Sequence, residues 1–236
     1  MNPQSSSEPS TLRSSERRRR LGGILVRKEC WRLSLSARLT LLVVVVVVLL
    51  VLQHGIYPFL ALQNPTNGGL LIVDAWLPTY GLKQAAADFK RGSYEKLITG
   101  GCVNDEGEEQ QFQVNYVGDA AARLGQLGIA VDLVQPVPCT APRRDRTYSS
   151  ALATKQWCHE NGITVRSIDV VTKAVHARRS RLLYQEAFGS DVEIGVIAVQ
   201  DRSYDPAHWW QSTVGVREVA WEGIAYLYTK FFFYPE

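Results

Sequence analysis

The stretch "SIDVVTKAVHARRSRLLYQ", residues 167–185, concentrates groups able to handle an anion. A β-branched apolar run at 167–171 reaches Thr172, and His176, Arg178, Arg179 and Arg181 follow within two turns of a helical pattern. A helix N-terminus offers free N–H groups and a partial positive charge, so cations placed there build a field that attracts phosphate or carboxylate. The same cations are unfavourable for the helix itself, and some must turn to solvent. Arg178 and Arg181 share a face, whereas Arg179 points roughly 100° away from Arg178 at about 3.6 residues per turn. The expectation is an anion site containing Thr172, His176 and Arg179. His176 is the candidate general acid or base, because an imidazole titrates near neutrality.

Two further segments are candidates for the same site. In "ITGG", residues 98–101, Thr99 precedes Gly100 and Gly101, which can bring backbone N–H groups close to an anion or simply form a tight turn. In "DRTYSSA", residues 145–151, Asp145 or Thr147 can cap a following helix, and Thr147 can also reach a ligand. Cys102 has no neighbour in sequence that would lower its pKa, which argues against a nucleophile. No CxxC or histidine-rich spacing indicates a metal, and Cys158-His159 reads as an ordinary helix surface.

These loops need a frame. Apolar runs predict strands at 70–73, 96–99, 130–134, 167–171 and 192–199, and helical spacing fills 81–90, 115–127, 148–159, 175–188 and 213–230. Alternating strands and helices, with strands apolar on both faces, predict a Rossmann-like α/β three-layer sandwich around a mainly parallel sheet of about five strands. Right-handed crossovers then bring every strand-to-helix loop to one sheet edge, where ligands bind near the reversal of strand order.

Ahead of this domain the composition changes. The first 38 residues hold nine Lys/Arg against three Asp/Glu and little apolar material, so 1–38 reads as a disordered basic arm. Residues 39–62 contain no formally charged side chain, and a helix over 39–60 exceeds the roughly 20 residues needed to cross a bilayer. The span is too long for a strand and does not fit a cleaved signal peptide. A linker, 61–69, leads to the domain at 70–236. Basic residues before the span place the N-terminus in the cytoplasm and the domain outside a bacterial inner membrane. Beyond residue 38 the acidic residues outnumber the basic ones by three, so the folded part has no electrostatic case for nucleic acid. Cys102, Cys139 and Cys158 would share that outer compartment; one disulfide and one free thiol are possible, in any pairing.

Thr-Gly-Gly at 99–101, Thr-Tyr at 147–148 and the Thr-x-x-x-His-x-x-Arg of Thr172, His176 and Arg179 together resemble the YdcF-like family, with "SYDPAHWWQS" at 203–212 as a further likeness. The resemblance implies a Rossmann-like domain, often membrane-tethered, and a link to cell-envelope integrity or peptidoglycan lipid-carrier metabolism. Some members are associated with S-adenosylmethionine; no cofactor and no single reaction follow for this chain. Two acidic positions of the family pattern fall at Tyr116-Val117 and Ser149-Ser150 here. Asp74, Asp105, Glu106, Glu108 or Glu109 would have to substitute, or activity is lost.

The functional expectations are a module binding a phosphate-containing small molecule or lipid carrier through Thr99, Gly100, Gly101, Thr147, Thr172, His176 and Arg179, an enzyme on such a compound with His176 as acid or base, or, as the resemblance implies, a domain binding a nucleotide or S-adenosylmethionine. The bilayer is the expected partner of the span. The aromatic tail is expected mainly to cover the sheet, with Trp209 and Trp210 walling the anion site.

Overall fold

The computed structural model describes residues 33–104, 109–141 and 145–235. The chain divides into two units, residues 1–47 and 48–236, and α1 (Leu35–Leu60) runs from the first into the second. Helix α1 is long and apolar enough to cross a membrane. Its Val/Leu run leaves every side chain from Leu39 to Leu52 exposed. Most of the basic arm, up to residue 32, lies outside the described residues.

In the second unit, five parallel strands form one sheet in the order β3-β2-β1-β4-β5, as expected from the alternation of apolar runs with helices. They are β1 (Gly68–Asp74), β2 (Ser93–Asn104), β3 (Val134–Ala141), β4 (Ser167–Lys173) and β5 (Glu193–Val199). Side-chain alternation within β1 supplies both layers of the core. Leu71 and Val73 pack with Leu82, Phe89 and Leu124, from α2 (Thr79–Arg91) and α3 (Glu109–Gln126). Leu70 and Ile72 face the other way, toward Ala151 and Tyr184 from α4 (Arg146–Glu160) and α5 (Ala177–Phe188). Each of these buried aliphatic side chains contributes about 1.5–3 kcal/mol relative to exposure, so the two layers hold the sheet centrally between helices.

Three expectations change. The predicted strand at 130–134 is displaced: Val131–Leu133 form a 3-10 turn, and β3 starts at Val134 and runs through Pro136 and Pro138. Proline lacks an N–H and is compatible with this strand only because β3 is at the sheet's edge, pairing with β2 alone. Gly100 and Gly101 do not leave β2 in a turn; they continue it, paired with Val137 and Pro138. The segment expected as a linker is instead bonded to the sheet. Asn64 exchanges backbone hydrogen bonds of 2.9 and 3.0 Å with Val196, and the backbone N–H groups of Thr66 and Asn67 donate to the Asp169 carboxylate.

The last helix, α6 (Thr213–Phe232), is capped by Ser212, whose hydroxyl accepts from the N–H of Gly215. The spacing of Val216, Ala220, Gly223, Leu227 and Phe231 predicts a face packed on the sheet, with Arg217, Glu218 and Glu222 elsewhere, but that face does not cover the sheet. All of it except the half-buried Gly223 is exposed, while Val219 and Glu222 are buried. The helix packs on α5 and on the 3-10 turn Ala174–His176 that precedes it.

Candidate functional site

Strand order reverses between β1 and β4, and their C-terminal ends carry Asp74 and Thr172. The Thr172 hydroxyl donates to Asp74 Oδ2, and both side chains are buried. Burial pushes the Asp74 carboxyl up from its ordinary range, with His176, Thr172 and Arg179 only partly opposing that. Beside this pair opens a cavity of about 870 Å³ lined by residues from β1, β2, α3, α4, α5 and α6.

Backbone geometry brings the histidine there. Ala174 follows β4 with φ 34°, a left-handed conformation that is costly for a residue with a Cβ. The 3-10 turn that it opens delivers His176 to the start of α5. Glu222 reaches back from α6: His176 Nδ1 lies 2.9 Å from Glu222 Oε1, and Arg179 donates to both carboxylate oxygens at 2.8 and 3.0 Å. Desolvation alone would raise the Glu222 pKa, but hydrogen bonds from His176 and Arg179 overcome it and hold the carboxyl at about 2. Arg179 Nη2 is also 3.0 Å from His176 Nδ1, which can either donate to Glu222 or accept from Arg179 according to its tautomer. The other nitrogen, Nε2, is 3.5 Å from the Thr147 hydroxyl, and Trp76 stands edge-on to the ring at 5.8 Å. A histidine held through one nitrogen by a carboxylate can exchange a proton at the other.

The three arginines divide their work. Arg179 belongs to the site. Arg178 donates to the Phe59 carbonyl and lies 3.9 Å over the Phe59 ring, tying α5 to the end of α1. Arg181 donates to the Ile194 carbonyl at 2.7 Å and ties α5 to β5.

Of the expected ligand residues, Gly101, Thr147, His176 and Arg179 line the cavity, and Thr172 acts behind Asp74. Thr99 is fully buried and donates to the Val117 carbonyl at 3.0 Å; Gly100 lies beneath Ser150. Neither lines the cavity. Gly101 has a steric role, because a Cβ there would collide with the Tyr116 hydroxyl. Tyr116, at one of the two positions where the family pattern has an acid, is a cavity wall whose phenol burial pushes up to about 12. Among the substitute carboxylates, Asp74 is in the site, while Asp105, Glu106 and Glu108 lie outside the described residues.

Sequence reasoning missed Glu222, which the helical spacing only places off the apolar stripe. A signal was present: it is the sole charged residue from 219 to 229, an isolated carboxylate in an apolar helix. The expected tryptophan wall also changes identity. Trp209 donates from Nε1 to the Gln53 carbonyl at 2.9 Å and Trp210 packs on His54 at 5.3 Å, both at α1, while Trp76, Trp221, Tyr228 and Phe233 line the cavity.

Cys102 and Cys139, opposite one another in the β2–β3 register, form a disulfide with Cα atoms 4.4 Å apart. Cys102 borders the cavity without a free thiol. Cys158 is free but buried, not on a helix surface, and its burial pushes the thiol up to about 11. Among the described residues no cluster of His, Cys, Asp and Glu could hold a metal ion. Comparison of the sequence with protein-family models and with curated proteins returns no match.

Proposed function

We propose that this chain is a membrane-anchored, YdcF-like envelope protein whose outer domain binds a phosphate-bearing ligand in the cavity at the C-terminal edge of its sheet. The observation that carries the reading is the Arg179–Glu222–His176 assembly facing that cavity, with Thr147 beside His176 and Arg146 also in the lining. Arg179 offsets the Glu222 charge and burial disfavours the charged form of Asp74, which weakens the opposition of these two carboxylates to an anion. The orientation with the domain outside the inner membrane is supported by the nine Lys/Arg before the span, against none from 61 to 82 just after it, and by the Cys102–Cys139 disulfide, a bond favoured in oxidising compartments.

Isothermal titration of the full chain in detergent with inorganic pyrophosphate and with undecaprenyl phosphate tests this. Saturable binding by wild type, weakened at least about tenfold in Arg179→Gln, is the expected result. No saturable heat from either compound defeats the proposal.

A second reading is favoured by the Glu222–His176 contact, which binding alone does not require. In it, His176 donates or accepts a proton at Nε2 while the ligand's phosphate ester or anhydride is cleaved by water. Product formation from undecaprenyl pyrophosphate, followed by mass spectrometry, should vanish in His176→Asn. Equal turnover in that variant would exclude His176 as the acid or base.

A further inference from the structure

Helix α6 is amphipathic in the sense opposite to that of a helix covering a core. Its inward side carries Gly215, Val219 and the bonded Glu222. Its outward side carries Val216, Trp221, Ile224, Leu227 and Phe231, which are 42%, 68%, 65%, 53% and 61% exposed. Such a continuous apolar helix face exceeds the scattered exposure normal for a water-soluble surface. Toward its ends stand the exposed Lys230, where it would meet lipid phosphates, and Arg217, which is paired with Glu218 at 3.1 Å.

What covers this face is indicated by where the helix is fastened. Phe59 of α1 stands edge-on to Tyr226 at 5.4 Å, and Ile56 comes close enough to Gly223 that a Cβ there would be 3.4 Å from its Cδ1. Trp209, just before α6, is bonded to Gln53. Helix α6 is therefore attached to the last two turns of the candidate membrane span, where Ile56, Tyr57 and Tyr226 pack in one cluster with Leu60 and Val219. With α1 inserted, those turns lie where the chain leaves the hydrocarbon. Tryptophan and tyrosine favour that boundary because their rings are apolar and their N–H and O–H groups remain wet.

We propose that α6 is an interfacial helix, with its outward face seated in the headgroup boundary of the phospholipid bilayer that α1 enters. The face and its attachment carry this independently of any ligand in the cavity. A helix of this kind gains affinity from buried apolar area and from cationic side chains beside anionic lipid.

The test uses the full chain in phosphatidylethanolamine–phosphatidylglycerol vesicles, with Cys30→Ser and Cys158→Ala removing the free thiols. Nitroxide labels are placed through Ile224→Cys, Leu227→Cys and, as an aqueous control, Glu160→Cys at the exposed end of α4. Labels at 224 and 227 should collide with oxygen several-fold more than with a water-soluble nickel chelate, and the label at 160 should show the reverse. Nickel access at 224 and 227 equal to that at 160 would overturn the proposal. Shielding from both reagents would also overturn it, and dipolar broadening lost on dilution with unlabelled chain would assign the face to a second copy. As a second measurement, quenching of fluorescence by bromine-labelled lipid should fall in Trp221→Phe; unchanged quenching counts against the inference.

Discussion

Two aspartates are buried in the central strands of one sheet, and they are treated oppositely. Asp169, in β4 near the N-terminal edge, accepts from the N–H groups of Thr66 and Asn67 at 2.8 Å each and from the Tyr94 hydroxyl at 2.6 Å. Gly195 beside it has no room for a Cβ. Asp74, at the C-terminal edge, accepts from Thr172 and borders the cavity. A buried carboxylate ringed by donors is a fastening: it binds the chain entering β1 to the sheet. One with few donors, beside a cavity, keeps capacity for a partner that is not part of the chain.

The largest effect that would sharpen this contrast is on the fastening. Asp169→Ala should cost about 3–4 kcal/mol of stability, because it leaves two backbone donors and a hydroxyl without an acceptor. Thermal unfolding in detergent measures it, and a loss no larger than for Asp74→Ala would erase the distinction. At the other edge, the link between β2 and β3 is covalent, so Cys102→Ala with Cys139→Ala should cost about 3 kcal/mol through the loop it frees. Unchanged unfolding between oxidised and reduced wild type would deny the disulfide that role.

Acid should act on the cavity edge through Glu222. Its folded pKa, about 2, lies below the ordinary 4.5, so its contribution is present above pH 4.5 and is lost as pH falls toward 2. That contribution is up to about 3 kcal/mol. Melting curves between pH 6 and 2 should therefore fall less steeply for Glu222→Gln than for wild type; parallel curves would contradict the pairing. The smallest stability effect belongs to Asp74→Asn. Since the folded pKa is raised above the ordinary 3.8, the carboxyl costs stability as pH rises past that value, and the amide, which cannot ionise, should leave stability at neutral pH unchanged or raise it. Pyrophosphate affinity should nevertheless fall about tenfold. A large melting shift with no loss of affinity would make Asp74 a second fastening.

The sheet and its helices were legible because long apolar runs alternate with helical spacing, and the end of each strand pointed toward the site. β3 was not, since Pro136 and Pro138 read as breakers until the strand is known to be an edge. The stripe on α6 was legible and its direction was not: periodicity identifies an apolar face but says nothing of what lies against it. Glu222 and His176 are 46 positions apart, beyond any local pattern, and the cysteine pairing emerged only from strand register. His176, Arg179 and Thr147 were found because each sits just after a predictable strand or at a helix start, where side chains converge on one edge.

The sheet's two margins bear on life in two dimensions. A protein confined to a membrane meets its own copies at much higher effective concentration than one diffusing in volume, and similarly oriented edges meet repeatedly. A bare strand margin would then act as a template for strand addition. Here one margin is β3, with two prolines that cannot donate, and the other is β5, where Asn64 takes the Val196 backbone groups and the Gln63 side chain accepts from Ala198 at 2.8 Å. The prolines on one margin and the Asn64 and Gln63 bonds on the other disfavour strand addition between copies.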